Sequence, residues 1–529
     1  MIQRIQTRVA RWYSSRFAVF IESIIIGMAT GLIVAVFRYL LEHAEDWRHG
    51  LYDALTTSHW SMYLLWMLGL ALLGLVLGWI NSRWPMIKGS GIPQIRGELT
   101  HKLQLSWWPE LPLKMFGSVL AIGAGLSLGR EGPSIQLGAY TGKTFLSVFR
   151  RPLVERKILM TSGAAAGLAA AFNAPLAGVL FVVEELHKHF SAMLVACAMG
   201  ASLSGYMVVS RFFGLEPVFS FGEIQVFRAE FLPAAIILGA AAAIVGHWFK
   251  KAMYVSMDLY KKSRIPPVFR PILPLLLSVP IAVYLFDLSG GGHHLIQSLS
   301  AMEVSFVMLV IMLAVKLLFS AICYGSGVSG GIFLPLLACG ALLGKLCGVS
   351  LEALGVIDST MHLKFVILGM AAFFTSVVKT PVTGAVLILE MSGNFSHFSG
   401  LVACCISAFV VSDFIKSRSI YDVFLERILR EQSPKAVCAG LTGGGAVVHT
   451  RREVIEVPVG LGSQLAHKQI RDVAWPEGIL IVAIEHGEQE VIPKGGTEIF
   501  PGDRLLVYVP EAAAADIEDR LVTMAEARI

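Results

Sequence analysis

Within an apolar sequence the chain reads Ser127-Leu128-Gly129-Arg130-Glu131-Gly132-Pro133-Ser134. A charged side chain at membrane depth costs roughly 3 kcal/mol on insertion scales, so the adjacent Arg130 and Glu131 are candidates for function. Glycine lets the backbone turn and proline suits the first turn of a helix, which predicts a broken helix that restarts near Pro133. The free N–H groups of a helix start attract anions. Because Glu131 is an anion fixed at that point, the stretch predicts a gate for a mobile anion.

The composition indicates an integral membrane protein. Of the 529 residues, 55% are apolar and 15% are charged, whereas about a quarter of the residues in soluble domains are charged. The net charge of +5 is small for this length and does not indicate a nucleic-acid partner. The seven cysteines have no Cys-x-x-Cys spacing and read as small core residues. The sequence predicts no disulfide, metal site or cofactor.

The apolar segments change character along the chain. The sequence predicts no cleavable signal peptide, and arginines precede the first long apolar run, so the positive-inside bias predicts a cytoplasmic N-terminus. Residues 17–41 and 61–80 are long enough to span a bilayer. Glycine and proline interrupt many later segments, which is typical of re-entrant or discontinuous helices around a central site. These later segments are 112–128, 133–149, 157–185, 191–212, 231–250, 271–287, 303–323, 332–349, 363–377, 381–392 and 399–414.

An internal repeat divides the apolar region into two related halves, a pattern typical of transporters with a site at the repeat interface. A shift of 202 places Lys114, Ser118, Gly123, Gly125, Ser127, Gly129, Pro133, Gly138, Ala139, Gly142 and Lys143 on Lys316, Ser320, Gly325, Gly327, Ser329, Gly331, Pro335, Gly340, Ala341, Gly344 and Lys345. A shift of 206 places Gly163, Pro175, Gly178 and Glu184 on Gly369, Pro381, Gly384 and Glu390.

Two glutamates of the first half have no acidic counterpart in the second. Glu131 aligns with Phe333, and Glu185 aligns with Met391. If both carboxylates served only the fold, the second half should keep them, so both are candidates for chemistry. Glu184 does have a glutamate counterpart and is therefore predicted to be structural, capping a neighbouring backbone.

The last hundred residues differ from the rest. A charged stretch and the glycine-rich residues 440–445 predict a flexible link. The following residues predict a small soluble α/β module. Its expected strands are 453–458, 479–485, 489–493 and 504–509, and its expected helices are 463–470 and 511–525.

Five separated motifs make the chain resemble the CLC family of chloride channels and proton-coupled chloride transporters. They are Gly89-Ser90-Gly91-Ile92-Pro93, Gly129-Arg130-Glu131-Gly132-Pro133, Gly331-Ile332-Phe333-Leu334-Pro335, the run from Gly163 to Gly178 through Asn173-Ala174-Pro175, and Tyr421 after the last membrane segment. The resemblance implies an all-α multi-pass fold with two inverted halves and broken or re-entrant helices. It also implies a homodimer with one anion pore per subunit. The homodimer is expected in the inner membrane of a bacterium, with both termini in the cytoplasm.

The domain organisation follows from the same resemblance. Residues 1–16 are expected to be a cytoplasmic segment, residues 17–425 the transmembrane domain with halves of about 17–225 and 226–425, and residues 426–451 a linker. Residues 452–529 are similar to the α/β TrkA-C (RCK-C) type of cytoplasmic module. This module is expected to bind a small anionic or nucleotide-like ligand or to help dimerise the chain, the alternative being a passive assembly domain.

The resemblance also implies roles for individual residues. Chloride would be held by the Ser90 hydroxyl, the main-chain N–H groups of Ile332 and Phe333, and the Tyr421 phenol. Partial charges of this kind let an ion enter and leave, whereas a buried full positive charge would hold it too tightly. From the residues alone, Ser90 could equally be an ordinary helix N-cap and Tyr421 a membrane-interface tyrosine.

The resemblance implies that Glu131 and Glu185 carry out the proton transfer steps. Glu131 would occupy an anion position when ionised and swing aside when protonated. Glu185 would pass protons from the cytoplasm toward Glu131, the alternative being a solvated glutamate at a helix end. Arg130 is predicted to be structural, with its guanidinium engaged by carbonyls or carboxylates away from the ion.

Chloride–proton antiport across the lipid bilayer is therefore the expected function, with chloride and protons as the transported ions. One alternative is a passive proton-gated chloride channel of the same fold. A more remote alternative is an intramembrane enzyme, but no serine–histidine, serine–lysine or metal constellation supports one. The adjacent His293 and His294 lack a third ligand nearby in sequence and are predicted to lie in a loop rather than to bind a metal.

Overall fold

A computed structural model describes residues 2–56, 59–149, 153–188, 190–219, 221, 227–299, 302–358, 361–439, 452–486, 489–510 and 514–526. The chain divides into a large helical unit within residues 1–426 and a smaller unit formed mainly by residues 427–529. The smaller unit contains the only β-sheet that the described residues form.

The described part of the large unit is helical apart from loops and the isolated bridges between them. Its helices are α1 (Ile2–Thr56), α2 (Trp60–Arg83), α3 (Ile92–Leu99), α4 (Trp107–Gly123), α5 (Glu131–Phe149), α6 (Leu153–Phe172), α7 (Pro175–Phe181), α8 (Ala192–Phe213), α9 (Leu232–Lys262), α10 (Ile272–Tyr284), α11 (His293–Ser298), α12 (Phe306–Gly325), α13 (Phe333–Ala353), α14 (His362–Val378), α15 (Pro381–Ser392), α16 (Phe398–Phe414) and α17 (Ile420–Ala439), whose residues after Glu426 belong to the smaller unit. A π-helical turn (Val182–His187) continues α7.

Eight helical stretches among the described residues are long and apolar enough to cross a membrane. They are Phe17–Leu55, Trp60–Arg83, Ala192–Phe213, Ala229–Lys262, Pro267–Tyr284, Phe306–Gly325, Phe333–Ala353 and Phe395–Phe414. The helices between them are shorter or more polar, and several begin inside the unit. The predicted combination of spanning and interrupted helices is therefore present in the fold.

The two halves break their helices at corresponding places. The predicted segment 157–185 is not continuous, because Asn173 adopts a left-handed conformation (φ 53°) and Pro175 starts α7. In the second half Lys379 is left-handed (φ 73°) and Pro381 starts α15. A left-handed residue followed by a proline ends one helix and begins the next, so the repeated proline has the same physical use in both halves.

Glycines of the repeat let equivalent helices touch backbone to backbone. A Cβ added at Gly138 of α5 would overlap the carbonyl oxygen of Gly163 in α6. The equivalent Gly340 of α13 meets the carbonyl oxygen of Gly369 in α14 in the same way. Small residues allow this close approach in membrane proteins. The repeat read from the sequence therefore corresponds to one packing arrangement used twice.

The smaller unit is an antiparallel sheet of β1 (Arg452–Pro458), β2 (Leu480–His486), β3 (Gln489–Val491) and β4 (Arg504–Pro510), in the order β1-β4-β2-β3. Helix α18 (Ala514–Ala525) completes it. Alternate β4 residues Leu505, Val507 and Val509 face its apolar core, and Leu521 of α18 packs into the same core. The four strands and the last helix agree with the sequence prediction.

The predicted helix at residues 463–470 is wrong. His467 has a left-handed conformation (φ 61°), which interrupts a right-handed helix. The N–H of His467 bonds to the carbonyl of Ile499 at 2.8 Å, and the N–H of Ile470 bonds to that of Thr497 at 3.0 Å. Because this segment takes its hydrogen bonds from residues 497–499, it follows that strand-like stretch instead of coiling.

The predicted linker at residues 426–451 begins as part of α17, which continues to Ala439. Its glycine-rich remainder, residues 440–451, lies outside the described residues. The prediction that the cysteines are small core residues is confirmed for five of the six that are described: Cys197, Cys323, Cys339, Cys404 and Cys405 are buried, and Cys347 is half-buried.

Candidate functional site

Three helix starts meet at the centre of the large unit. They belong to α3, α5 and α13, and each helix begins within one of the glycine-containing motifs. Gly129 and Gly331 exchange two main-chain hydrogen bonds, each 2.7 Å long. Gly89 donates to the carbonyl of Val328 and accepts from the N–H of Gly330, both at 3.0 Å. The loops that precede the helices are thus tied to one another, and the N–H ends of the helices converge.

Two buried lysines hold loops of this region in the two halves. Lys114 Nζ donates to the carbonyls of Ile87 at 2.9 Å and Gly89 at 2.6 Å. Its repeat partner Lys316 donates to the carbonyls of Leu288 at 3.0 Å and Gly290 at 2.8 Å. Each ammonium group is therefore engaged by loop carbonyls, which leaves the N–H ends of the helices for an anion.

Glu131 begins α5 and is fully buried. A Cβ at Gly129 would overlap Oε2 of Glu131 and lie 3.0 Å from the main-chain nitrogen of Leu334. The carboxylate therefore sits between the motif of the first half and the first turn of α13. The N–H groups of Glu131 and Leu334 lie near it, although neither carboxylate oxygen has a hydrogen bond of good geometry among the described residues. A carboxylate in this place is stabilised by two helix starts.

Ser90 is next to the same helix start. It is fully buried, and a Cβ at Gly132 would lie 2.9 Å from the Ser90 Cβ, so the first turn of α5 packs directly on Ser90. The Tyr324 phenol of α12 also lies against Ser90. The Ser90 hydroxyl has no hydrogen bond of good geometry within the part of the chain that the structure describes. Its predicted alternative, an N-cap of α3, is not supported by any such bond.

Tyr421, the second residue of α17, is also fully buried. Its phenol lies within electrostatic range of Tyr324, Glu185 and Glu131. Its hydroxyl, like that of Ser90, makes no hydrogen bond of good geometry to a described residue. The structure thus buries Tyr421 inside the protein, so the interfacial alternative does not hold.

Ile332 and Phe333 stand at the start of α13 with buried side chains. The Phe333 ring packs against Phe374, Phe172 and Phe181, with centroid distances of 4.4, 5.1 and 6.3 Å. Aromatic packing of this kind fixes the position of the helix start. The side chains therefore serve packing, while the main-chain N–H groups stay at the converging helix ends.

Glu185 lies in the π-helical turn after α7 and is 1% exposed. Its Oε1 is 3.4 Å from Nη1 of Arg96 at the C-terminal end of α3. π-Helical turns redirect side chains and are frequent at functional sites. The alternative of a solvated helix-end glutamate is incompatible with this burial.

Glu184 is the cap that the repeat predicted. Its carboxylate accepts hydrogen bonds from the N–H groups of Val382 at 3.3 Å and Thr383 at 2.8 Å, at the start of α15. Its repeat partner Glu390 accepts from the N–H groups of Leu176 at 3.0 Å and Ala177 at 2.8 Å, at the start of α7. Each half therefore caps a helix of the other, which explains why both halves keep this glutamate.

Arg130 points its guanidinium toward a carboxylate, in agreement with its predicted structural role. Nη1 of Arg130 is 3.6 Å from Oε1 of Glu42 in α1. Both residues line a cavity of about 460 Å³ that reaches Leu128 and Leu334, the neighbours of the Glu131 site. The cavity therefore lies next to that site.

The two adjacent histidines do not lie in a loop as predicted, because they begin the short helix α11. Nδ1 of His294 pairs with Asp287 at 2.7 Å, while His293 is stacked on Phe219 with a centroid distance of 5.2 Å. The side chains therefore diverge. In the described residues no group of three His, Cys, Asp or Glu side chains could hold a metal ion.

Sequence reasoning did not identify Arg96, Asp422, Lys188 or Tyr324. Arg96 is 89 positions from Glu185, and no local pattern connects them. Tyr324 aligns with Ile122 at a shift of 202, so the repeat gave no reason to select it. Asp422 could have been noticed as the charged neighbour of Tyr421.

Two family models match the chain. The model for voltage gated chloride channels matches residues 73–413, and the model for the TrkA-C domain matches residues 454–522. These ranges agree with the division into a helical unit and a small α/β unit.

Characterised proteins resemble the chain over most of its length. The H(+)/Cl(-) exchange transporter ClcA of Vibrio parahaemolyticus serotype O3:K6 is 32% identical over 436 residues, which cover 79% of this chain and 91% of that protein. ClcA of Salmonella typhimurium is 33% identical over 437 residues, covering 78% and 89%. The crystal structure of a slow cyanobacterial Cl-/H+ antiporter has a TM-score of 0.75 and 29% identity, covering 78% of this chain and 99% of that one. A CLC-type fluoride/proton antiporter, 23% identical, shares the fold with a TM-score of 0.64.

Proposed function

The chain belongs to the CLC family of voltage gated chloride channels and is a multi-pass membrane protein with a C-terminal TrkA-C domain, and on that premise we propose that it exchanges chloride for protons. The relatives described above are named as H(+)/Cl(-) exchange transporters. Their similarity spans the membrane unit, which contains the converging helix starts.

One observation carries the proposal. The Ser90 hydroxyl, the Tyr421 hydroxyl and both carboxylate oxygens of Glu131 are buried without a hydrogen bond of good geometry among the described residues. Buried polar atoms are normally paired, because leaving one unpaired costs about 1–3 kcal/mol. A chloride ion would accept hydrogen bonds from the two hydroxyls and from the N–H groups of Ile332 and Phe333. The donor set offers partial charges only, which suits an ion that must also leave.

Glu131 would act as the gate and as the outer proton carrier. When ionised, its carboxylate competes with chloride for the same helix starts, since both are anions. When protonated, it loses that attraction and moves aside, so chloride enters. Coupling follows because one carboxylate cannot occupy the anion position and be absent from it at the same time.

Glu185 would load protons from the cytoplasm. The Tyr421 phenol lies within electrostatic range of both Glu185 and Glu131, which supports a short, water-assisted path between the two carboxylates. Met391 is the counterpart of Glu185 in the second half, so only the first half has a carboxylate for this path.

A passive proton-gated chloride channel is the competing function, and a reversal potential distinguishes it. In voltage-clamped bilayers with equal chloride on both sides, a pH gradient is expected to shift the reversal potential away from zero, because proton movement is coupled to chloride movement. A reversal potential that stays at zero across a gradient of two pH units would establish the channel. The measurement needs no variant and uses the complete chain.

The cellular setting is also a proposal. Four arginines before the first long apolar run, Arg4, Arg8, Arg11 and Arg16, support a cytoplasmic N-terminus. The relatives from Vibrio and Salmonella support a bacterial inner membrane. Residues 17–425 would form the transport domain of a homodimer, and residues 452–529 a cytoplasmic TrkA-C module behind the linker 426–451.

The TrkA-C module would bind a small ligand or help dimerise the chain, and thereby bias transport. Removing the residues after 440 is expected to change the transport rate or the subunit count, measured by vesicle flux and by light scattering in detergent. Unchanged flux, subunit count and ligand response after this truncation would mean that the module is a passive appendage.

A further inference from the structure

Four charged side chains form a chain of ion pairs beside the proposed proton entry. Glu185 Oε1 is 3.4 Å from Arg96 Nη1, and the same Nη1 pairs with Oδ1 of Asp422. Asp422 Oδ2 is 3.0 Å from Lys188 Nζ. The side chains are 2%, 14%, 23% and 47% exposed in the order Glu185, Arg96, Asp422, Lys188. The charges therefore alternate from a buried carboxylate to a solvated amine.

The members of this cluster come from the elements that build the chloride site. Arg96 stands on α3, which begins two residues after Ser90, and Asp422 directly follows Tyr421 on α17. Glu185 belongs to the π-helical turn, which ends at the left-handed Lys188 (φ 57°). Because of this turn, the Glu184 side chain reaches the start of α15, whereas Glu185 and Lys188 take part in the ion-pair cluster.

We propose that Arg96 is a positioning residue, which divides its charge between Glu185 and Asp422 and so sets the pH at which Glu185 takes up a proton. The proposal rests on the proposed role of Glu185 as the internal proton acceptor. In this proposal Asp422 competes with Glu185 for Arg96, and the positive charge of Lys188 partly offsets that of Asp422.

The charges determine the direction of each effect. An arginine stays protonated in proteins, so its guanidinium always favours the ionised form of a nearby carboxylate. A second carboxylate acts in the opposite direction, both by its own charge and by engaging the guanidinium. Burial opposes the ionisation of Asp422, but the nearby Arg96 and Lys188 lower its pKa below the usual value. Asp422 therefore stays negative over the pH range in which transport would be measured.

The remaining groups that face Glu185 do not replace Arg96. Glu184, on the same turn, is engaged by the N–H groups at the start of α15. His187, also on the turn, pairs through Nε2 with Thr161 of α6 at 2.7 Å. Tyr421 contributes an uncharged phenol from α17. Arg96 is thus the positive charge closest to Glu185 among the described ion pairs.

Proton uptake by vesicles, measured against the pH on the side of Glu185, tests the proposal. Arg96→Gln is expected to move the half-maximal pH of proton flux to higher pH by about one unit, because the ionised form of Glu185 loses its partner. Asp422→Asn is expected to move it to lower pH, because the variant removes a carboxylate that competes with Glu185 for Arg96. Arg96→Lys keeps the charge and is expected to restore most of the parent profile. Opposite shifts cannot come from a general loss of packing, which would lower flux in both variants alike.

Matched changes elsewhere provide controls. Arg228→Gln removes an arginine 3.2 Å from Glu230, and Asp413→Asn removes an aspartate 3.0 Å from Lys379. Both variants are expected to keep the parent profile. If Arg96→Gln does not fold, Lys188→Asn at the exposed end still applies. Asparagine tolerates the left-handed conformation, and the loss of a positive charge is expected to move the profile to higher pH.

Unchanged profiles, or shifts in the same direction, in Arg96→Gln and Asp422→Asn would overturn the inference. The Glu185→Gln variant, measured in the same assay, tests the proposed role of Glu185 independently. Proton flux that persists in Glu185→Gln overturns the role of Glu185 itself. Proton flux that is lost there, with no opposite shifts in the other two variants, overturns only the positioning role of Arg96.

Discussion

Glu131→Gln is expected to abolish proton transport in reconstituted vesicles while chloride continues to flow. Glutamine fills nearly the same volume but cannot take up or release a proton, so the proton flux should fall at least about a hundredfold. The carboxylate that competes with chloride is also gone. Chloride efflux should therefore lose the acceleration at low pH that a protonated Glu131 gives the parent. Simultaneous chloride-electrode and pH-electrode recordings measure both fluxes.

Glu110→Gln is the matched control for this variant. Glu110 is another buried glutamate of the membrane unit, and its Oε2 accepts a hydrogen bond from the Tyr140 hydroxyl at 2.6 Å. Because it lies outside the converging helix starts, its glutamine variant should keep the coupling of chloride to protons. Proton transport at the parental rate in Glu131→Gln would contradict the gate assigned to Glu131.

Glu185→Gln is expected to uncouple the two ions. Chloride should still cross, because Ser90, Tyr421 and the helix starts are intact, whereas the proton flux should again fall at least about a hundredfold. The two glutamates differ in one respect: Glu185→Gln should keep the pH dependence of chloride flux that Glu131→Gln loses, since Glu131 still opens when protonated from its own side. The ratio of chloride to proton flux in vesicles measures the uncoupling.

The neighbouring Glu184→Gln separates chemistry from structure at this turn. Glu184 caps α15 through the N–H groups of Val382 and Thr383. Its glutamine variant should lose about 1 kcal/mol of stability with its flux ratio unchanged. Equal uncoupling by Glu184→Gln and Glu185→Gln would show that the turn needs both carboxylates for its shape, and would remove the relay role from Glu185.

The central site could be predicted because its determinants are local or repeated. Adjacent charges inside an apolar run marked Glu131, and the glycine and proline around it marked a helix start. The unequal halves then separated Glu131 and Glu185 from Glu184, whose cap across the repeat is present. The repeat identifies the capping glutamate because each half must supply a carboxylate to the N–H groups at a helix start of the other half.

The surroundings of Glu185 could not be predicted in the same way. The pairing of Arg96 with Glu185 and Asp422 depends on how α3, the π-helical turn and α17 pack together, and these elements are far apart in sequence. The π-helical turn itself has no sequence signature. In the small unit, residues 463–470 have helix-compatible composition, yet hydrogen bonds to residues 497–499 determine their conformation. Local propensity fails where distant backbone supplies the partners.

A crystal of Glu131→Gln grown in bromide tests most directly whether a carboxylate takes the place of the transported anion. Bromide scatters anomalously and follows chloride through sites of partial charge. In the parent, the expected anomalous peak lies near Ser90, Tyr421 and the N–H of Phe333. In the variant, a second peak is expected where the Glu131 carboxylate stood, beside the N–H of Leu334. A variant that binds bromide at the first position only, with no anion at the carboxylate position at saturating bromide, would contradict the exchange of places between Glu131 and chloride.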